Sequence, residues 1–585
     1  MGSRRVLVAT LAVLLCVLSS NELEAQVSPR PQIVTVDSVN LPEPCLGAFP
    51  CFLTRKFLPN PTDPNYPANI VVDPNSNSNA NVAPATRYYQ RIGAFRNAAT
   101  GGASTLTNFK IKNQFVLSDG STPRNGGFRA FYFNNGDLQL GREMHCNQSG
   151  EKIACYVSNY GPPPFPAGNT VDNNTVWPNS GQALSEVESV ALNSPNAAHP
   201  FATVAMEYLG KEPTAKANIP VTEADGVTQN LSPPKFCAAN YSGNQPPSNA
   251  DVDTGIDVET GDVISITASG LIWAGYCFTG RNTADGYANQ AGPGYPLETG
   301  HEQALIGRVG NASYFELGSG PNGQFALGDH LNADPPGRLF LRTNDNNPGN
   351  GSGSFSVTVT IKRPQRVRFY VYGANGALAK TAALDTEGNK LVPQMCMACH
   401  GGTYNDATDE ATNSSFLPFD VFSFSYSQKP GLTLNDQQEQ FRQLNLIVKN
   451  TDPNPIDTNN PIGNLIDALY DNKVGVFQQT ATVPQPPPGT WQGHETLYRD
   501  FVAHYCRTCH SAQDQRVDFT TFAGFSGSAV GGLLCSGQMP HAQVPFYSLA
   551  NTRIGPVVAN DLRAIGLPCL VEEPLKRLGS PKIRQ

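Results

Sequence analysis

Two pentapeptides of the form Cys-x-x-Cys-His constrain this 585-residue chain more than any other feature. They are Cys396-Met-Ala-Cys399-His400 and Cys506-Arg-Thr-Cys509-His510. Two cysteines three positions apart on a helical turn can form thioethers with the two vinyl groups of one porphyrin, and the adjacent histidine then lies beneath the iron. The sequence therefore predicts two covalently attached haem c groups, with His400 and His510 as iron ligands.

Two other chemistries use closely spaced cysteines. A thioredoxin-like redox centre needs a βαβ context, which is not visible around either motif. A zinc site with four cysteine ligands needs free thiolates in an oxidising compartment and leaves both histidines without a role. Because the full motif occurs twice, histidine included, haem attachment is favoured over both.

The first 25 residues have the pattern of a cleavable secretory signal. Arg4 and Arg5 precede an apolar run from Val6 to Leu18, and a polar stretch then ends at Ala25. The alternative is a membrane anchor, but a spanning helix needs about 20 apolar residues and this run is shorter. We therefore expect a periplasmic or secreted protein with a signal peptide at 1–25 and no membrane span.

Eight of the 13 cysteines lie outside the signal and the two motifs. An even number is what an oxidised, exported chain would have. Proximity along the chain suggests four disulfides, although other connectivities are open: Cys45–Cys51, Cys146–Cys155, Cys237–Cys277 and Cys535–Cys569.

Composition excludes some functions and predicts a turn-rich fold. The net charge is −8, and no block of lysine and arginine is present, which argues against a nucleic-acid partner. The 54 glycines and 48 prolines favour short elements and irregular connections over coiled coils. With 39% hydrophobic residues, the chain can form cores for three or four domains.

The second motif lies in a segment with helical periodicity. After a stiff linker at Pro484–Pro488, Leu497, Phe501 and Tyr505 recur every four residues just before Cys506. Met539-Pro540 follows, and then a closing helix from Pro556 with Val558, Leu562 and Ile565 on one face. This order resembles a class I cytochrome c over residues 491–570. The resemblance implies that His510 is the proximal iron ligand and Met539 the distal one, with His541 as a lesser alternative.

The first motif is followed by two amphipathic helices. One has Phe441, Leu444 and Val448 on one stripe and a cap near Thr433, and the other begins at Asn460-Pro461 and faces Ile462, Leu465, Ile466 and Leu469 one way. No methionine occurs between Met397 and Met539. A sixth ligand for the first haem therefore comes from upstream, or is absent; the candidates are Met144, His145 and Met206.

Residues 248–362 alternate apolar with small or polar side chains, which predicts an antiparallel β-sandwich. These strands, with Asn344-Asp345 and the stretch Asn350–Phe355, resemble the calcium-dependent galactophilic lectin A family of bacteria. The resemblance implies calcium at Asp345 and Asn350, with Asn346 or Asn347 replacing a missing ligand, and a carbohydrate partner. The alternative is a structural β-domain whose Asn-Asp turn only caps strands.

These observations predict a multidomain fold: a mixed, irregular N-terminal haem domain, an all-β lectin-like sandwich and an all-α cytochrome c domain. Arg368–Tyr372 has the pattern of a continuation of the N-terminal sheet, so one arrangement inserts the sandwich into the first haem domain. The predicted units are a signal at 1–25, a first haem domain from 26–235 and 364–483, the sandwich at 236–363, a linker at 484–490, the cytochrome c domain at 491–570 and a tail at 571–585.

The leading functional hypothesis is an exported dihaem cytochrome that passes electrons between its irons and unidentified protein partners, rather than an enzyme. One alternative is a peroxidase or oxidase in which the first iron keeps an open position. Another is a cytochrome anchored on glycan through the sandwich.

Two haems are expected per chain, because each motif has both thioether cysteines and the ligand histidine. A pyridine haemochrome assay on denatured protein checks the number, and Cys399→Ser should leave only the second haem fully attached. One haem per chain, or haem that acidic acetone extracts, would contradict the prediction.

Overall fold

The computed structural model of the protein describes residues 82–119, 121, 127–134, 141–160, 203–223, 251–273, 279–319, 324–326, 336–346, 351–373, 376–382, 390–405, 407–426, 430–451, 460–482, 490–503, 506–512, 521–527 and 556–565. Several predictions lie outside these residues. They are the signal peptide, the linker at Pro484–Pro488, the tail, the ligands Met539, His541, Asn347 and Asn350, and the cysteine pairs Cys45–Cys51, Cys237–Cys277 and Cys535–Cys569.

The described helices are short except for one of five turns. In chain order they are α1 (Ala83–Arg91), α2 (Leu106–Lys112), α3 (Gln394–His400), α4 (Leu434–Thr451), α5 (Pro461–Tyr470), α6 (Glu495–Leu497), α7 (Arg507–His510), α8 (Phe522–Ser526) and α9 (Pro556–Ala564). A 3₁₀ turn spans Ala98–Thr100, and a π-helical turn at Tyr498–Val502 follows α6 directly. None of the helices in these ranges is long and apolar enough to span a bilayer.

The strands are all paired antiparallel. They are β1 (Phe128–Asn134), β2 (Gly141–Ser149), β3 (Lys152–Tyr160), β4 (Thr203–Tyr208), β5 (Lys216–Thr222), β6 (Val252–Val258), β7 (Val263–Trp273), β8 (Leu305–Val309), β9 (Phe315–Glu316), β10 (Gln324–Ala326), β11 (Gly337–Thr343), β12 (Ser352–Lys362), β13 (Val367–Tyr372), β14 (Thr381–Ala382), β15 (Lys390–Leu391), β16 (Thr403–Asn405), β17 (Glu410–Thr412) and β18 (Phe424–Ser425). The chain thus combines antiparallel sheets with helices in a mixed fold.

The largest sheet is assembled from three separate parts of the chain. Its strand order is β13-β4-β3-β2-β1-β18. β13 follows the sandwich strands, and its Arg368 pairs in register with Glu207 of β4, so it continues the N-terminal sheet as the sequence indicated. β18 follows the first Cys-x-x-Cys-His motif and pairs with β1. The strands from β5 to β12 are therefore inserted between two adjacent strands of this sheet.

Helix α1 covers the β13 edge of the sheet. The outward-facing amides of Phe369 and Val371 donate to the hydroxyls of Tyr88 (2.9 Å) and Tyr89 (3.2 Å). Both tyrosines are fully buried. Since an open edge would present unpaired N–H groups, these two hydroxyls close the sheet on this side.

The predicted antiparallel sandwich consists of two four-stranded sheets, β10-β7-β12-β5 and β6-β11-β8-β9. The two longest strands pair from Val263 opposite Lys362 to Trp273 opposite Ser352. Alternate residues of both sheets meet in one buried apolar core, which includes Ile264, Ile266, Leu339, Leu341, Phe355 and Val357.

A strand upstream of residue 236, where the sandwich was predicted to start, also pairs with the sandwich strands. Lys216–Thr222 forms β5, pairs with β12 and contributes Ile219 and Val221 to the sandwich core. The alternation in this strand is hard to see in the sequence because Pro220 interrupts it. β5 is an edge strand, where a proline that cannot donate a hydrogen bond is tolerated.

A layer of charged groups joins the sandwich to the large sheet. The Arg363 guanidinium donates through Nε and Nη2 to the two oxygens of Asp262, at 2.9 and 2.8 Å, and through Nη1 to the Leu209 carbonyl at 2.9 Å. Lys152 of the sheet also pairs with Glu259 of the sandwich. Paired and hydrogen-bonded charges can be buried without a large penalty, so the two units share a fixed interface.

The two helices predicted after the first motif are confirmed. Before α4, the Thr433 hydroxyl accepts from the Asp436 amide (3.2 Å), and the Asp436 carboxylate accepts from the Thr433 amide (3.3 Å). Before α5, the Asn460 side chain accepts from the Gly463 amide at 2.9 Å. The predicted apolar stripes of both helices are buried in the same core as the large sheet.

One predicted disulfide is confirmed. Cys146 and Cys155 lie opposite each other on β2 and β3 and are bonded, with their sulfurs 2.04 Å apart.

Candidate functional site

The first motif forms most of helix α3. Cys396 is buried, Cys399 is partly exposed, and neither is in a disulfide. Burial raises the pKa of the Cys396 thiol, and the neighbouring Cys399 adds to the effect. This thiol is therefore neutral at pH 7, unlike the low-pKa cysteines of redox catalysts.

His400, the last residue of α3, has a fixed ring orientation. Its Nδ1 lies 2.8 Å from the carbonyl oxygen of Ser415. A carbonyl can only accept, so Nδ1 carries the proton and Nε2 keeps a free lone pair. Burial, assisted by the positive charge of Arg142, lowers the pKa of His400 to about 4. The imidazole is neutral at pH 7, which is the form that binds a metal.

Two glycines bring the Ser415 segment against the end of α3. Gly401 and Gly402 have φ angles of +67° and +93°. A Cβ atom on Gly402 would lie 2.4 Å from the Thr412 carbonyl oxygen and 2.5 Å from the Ser414 hydroxyl. The Ser414 hydroxyl also donates to the Gly401 carbonyl at 2.9 Å. Only glycine allows the chain to turn this closely, and the turn places the Ser415 carbonyl on the imidazole.

One face of the large sheet lies toward His400. The Phe369 ring is 5.5 Å from the His400 ring, centroid to centroid. Phe369 is paired across the sheet with Met206, then Cys155 and then Cys146. Residues directly opposite each other on antiparallel strands share a face. Met206 is thus on the His400 face of the sheet and next to Phe369.

The strand register places the three upstream ligand candidates on two different faces of the sheet. Met144 lies two positions from Cys146 on β2 and therefore shares the face of Met206. His145 has the opposite parity and points to the other face. There its ring stacks on Tyr156 with centroids 4.5 Å apart, and its Nε2 lies 3.2 Å from the Glu143 carboxylate. The structure brings the two methionines, and not His145, to the side of the first motif.

The second motif begins at Cys506, directly before helix α7, and ends with His510. Cys506 and His510 are buried, Cys509 is partly exposed, and the two cysteines are not bonded to each other. Burial raises the pKa of the Cys506 thiol to about 12. Both motifs therefore present a buried neutral thiol, a more exposed thiol and a histidine at the end of a helical turn.

The two motif helices are neighbours. Cα atoms of α3 and α7 approach within 8 Å of each other. Ala512, just after the second motif, belongs to the same buried core as Cys396, Met397 and the large sheet. The two motifs therefore lie in one packed unit, although their sequence positions suggested two domains.

A buried ion pair also connects the two motif regions. Arg507, the first variable residue of the second motif, donates through Nη2 to Asp420 Oδ1 at 2.6 Å and through Nε to Asp420 Oδ2. Its Nη1 donates to the Tyr498 hydroxyl at 2.5 Å. Asp420 lies on the segment that follows the first motif, and both charged side chains are almost fully buried.

The segments around the second motif form a small helical cluster. Leu497 and Phe501, two of the three predicted stripe residues, are buried before Cys506, and Leu562 is buried on α9. Helices α6 and α9 contact each other, and His494 Nδ1 lies 3.0 Å from Asp561 Oδ1. The entry and closing helices predicted from the sequence are both formed.

The arrangement of the thiols bears on the alternatives to haem. The four motif cysteines are all among the described residues, and nowhere in those residues do three or more His, Cys, Asp or Glu side chains converge as a metal site. The two cysteine pairs are therefore not arranged as a zinc site with four cysteine ligands. At the first motif, the groups that thioether attachment and axial ligation of a haem would use are the buried Cys396 thiol, the partly exposed Cys399 thiol and the Nε2 atom of His400.

In the sandwich, Asp345 is buried at the end of β11 and Asn346 is exposed. The preceding Asn344 donates to the carbonyls of Leu297 and His301, each at 2.9 Å. These two bonds tie the residue before Asp345 to the loop at 297–301. Calcium at Asp345 stays a prediction.

Sequence reasoning did not assign roles to Ser415, Asp420 or Arg507. Ser415 acts through its backbone carbonyl, which no side-chain pattern reveals. Asp420 and Arg507 were both visible, one in the Phe416–Asp420 stretch and one inside the motif, but 87 positions separate them. No known protein-family model matches the chain, and no curated protein matches it either.

Gly402→Ala should destabilise the protein more than Gly431→Ala. Both glycines have similar left-handed φ angles, +93° and +84°, but a Cβ at Gly431 would meet nothing within 4 Å. The added clash at Gly402 should cost about 1–3 kcal/mol beyond the shared backbone strain. Chemical denaturation of both variants measures the difference in the free energy of unfolding. Equal losses would show that Gly402 is not a site of close approach.

Proposed function

We propose that this chain is an exported dihaem c-type cytochrome whose function is electron transfer. The observation that carries the proposal is the adjacency of two Cys-x-x-Cys-His helices in one buried core, with one imidazole already oriented for ligation. When bound, each haem supplies an iron that cycles between the ferric and ferrous states. The protein residues hold the haems, orient the ligands and exclude water.

The attachment residues follow from the motifs. Cys396 and Cys399 would hold the first haem, and Cys506 and Cys509 the second, as thioethers that carry no charge. His400 would bind the first iron through Nε2, because the Ser415 carbonyl holds Nδ1. A second-shell bond of this kind fixes the tautomer and raises the basicity of the ligand nitrogen. His510 would be the corresponding ligand of the second iron.

For the sixth ligand of the first haem, the sheet register favours a methionine over His145. Met206 is buried beside Phe369 on the His400 face, and Met144 is partly buried on the same face. Arg142 also lies on this face, two positions before Met144, and its charge acts on His400. A positive charge there would suit the propionate groups of a haem.

For the second haem, the contact between α6 and α9 supports the class I cytochrome c resemblance, in which the closing helix packs near the entry helix. Met539 is the proposed distal ligand. The sandwich, with the buried Asp345, is proposed as a calcium-binding module that contacts carbohydrate on or near the cell surface.

Met206→Ala should open the first iron. Thioether ligation favours the ferrous state, so the variant should have a lower reduction potential at the first haem and a high-spin ferric signal. His145→Ala is the matched control, because it removes another candidate ligand, one on the opposite face of the sheet, and should leave both properties unchanged. EPR spectra and redox titrations of the two variants make the comparison.

If Met206→Ala keeps a low-spin iron with an unchanged potential, the assignment fails and Met144→Ala becomes the next variant to measure. If His145→Ala alone opens the iron, the face assignment is contradicted.

A further inference from the structure

We infer that the Asp420–Arg507 ion pair holds two buried charges in electrical balance next to the two haem sites, so that neither charge alone shifts the reduction potentials. The inference rests on the proposed function, since it concerns the potentials of the two haems. It assigns a role to two residues that neither bind a haem by the Cys-x-x-Cys-His pattern nor act as iron ligands.

Arg507 lies inside the second motif and is buried. It is the first residue of α7 and lies between the two thioether cysteines, three positions before His510. Residues three apart on a helix are neighbours, so its charge is held close to the second haem position. Its side chain is about 1% exposed, which removes the screening by water that weakens surface charges.

Asp420 is held in position by the segment that follows the first motif. Its backbone is held by α4: the Asn445 side chain accepts from the Phe419 amide and donates to the Phe419 carbonyl, each at 2.9 Å. The Ser423 amide donates to the Asp420 carbonyl at 2.9 Å. The carboxylate is therefore fixed by the part of the chain that also forms the first haem site, and it meets Arg507 from that side.

The charges of the Arg507 guanidinium and the Asp420 carboxylate balance each other. The fork of two parallel N–H···O bonds between the guanidinium and the carboxylate fixes both groups, and the Tyr498 hydroxyl takes a third N–H. The pair is net neutral. Each charge alone would act strongly on a nearby iron in a medium of low dielectric, and together they largely cancel. The pair therefore joins the two motif regions and adds almost no net charge near either haem site.

The direction in which the reduction potential shifts distinguishes an electrostatic role of the pair from a purely structural one. Without Asp420, the unbalanced Arg507 cation opposes the positive charge of a ferric iron, so the reduction potential rises. Without the Arg507 charge, the unbalanced Asp420 anion stabilises the ferric iron, so the potential falls. A purely structural role would loosen the site in both variants and shift both potentials in the same direction.

The experiment measures both reduction potentials of the full-length protein by spectroelectrochemistry in Asp420→Asn, Arg507→Gln and the double variant. We expect the ferric-to-ferrous ratio of the second haem at a fixed potential to change at least tenfold in opposite directions in the single variants, which is about 59 mV for a one-electron couple. The double variant should return toward wild type. A smaller shift of the same sign is expected at the first haem.

Asp262→Asn is the matched control. Asp262 also forms a buried two-oxygen fork with an arginine, Arg363, but it lies in the sandwich. The Asp262→Asn variant should have a lower melting temperature but no opposite-signed shift in the reduction potential of the second haem. Arg507→Lys keeps the charge and should stay near the wild-type potential, and it serves if Arg507→Gln does not fold. Thermal unfolding of every variant separates stability from potential.

Two failures are distinguishable. If the wild-type protein carries fewer than two haems in a haemochrome assay, the proposed function fails and this inference with it. If two haems are present but the single variants shift the second potential in the same direction, or not at all, the proposed function survives and the inference is overturned.

Discussion

The large antiparallel sheet holds the first motif in place, because its two outer strands come from regions on either side of that motif. β13 forms one edge of the sheet and precedes α3, with the short strands β14 and β15 between them, and β18 forms the opposite edge after the Ser415 segment. The backbone pairing of these strands with β4 and β1 thereby fixes both ends of the segment that contains His400.

The two faces of this sheet have different chemistry. The face toward α3 carries the apolar side chains of Met206 and Phe369 and the disulfide-bonded Cys155, together with Arg142. On the other face, the buried Glu207 carboxylate accepts from Lys112 at 2.8 Å, Asn113 at 2.6 Å and Tyr370 at 2.6 Å. The ammonium charge and these hydrogen bonds outweigh burial and lower the pKa of Glu207. The hydrogen-bonded network around Glu207 therefore stabilises the face of the sheet that points away from the first motif.

The sequence predicted the features that depend on local pattern. The motifs, the stripe of Phe441, Leu444 and Val448, the cap at Thr433 and the sandwich strands follow from spacing and alternation, and the Cys146–Cys155 pair from proximity. It did not predict features that depend on long-range pairing. The face of His145 requires the strand register, β5 is obscured by Pro220, and the Arg507–Asp420 contact joins residues from two regions that the sequence divides by a proline-rich linker.

EPR of the fully oxidised protein tests the proposal that the two Cys-x-x-Cys-His helices, which lie in one packed unit, each hold a haem. Because Cα atoms of α3 and α7 lie within 8 Å, we expect a magnetic dipolar interaction between the two ferric irons. This interaction should disappear when Cys399→Ser prevents full attachment of the first haem. A wild-type spectrum that is the simple sum of two isolated ferric centres would contradict the proposed adjacency of the two haems.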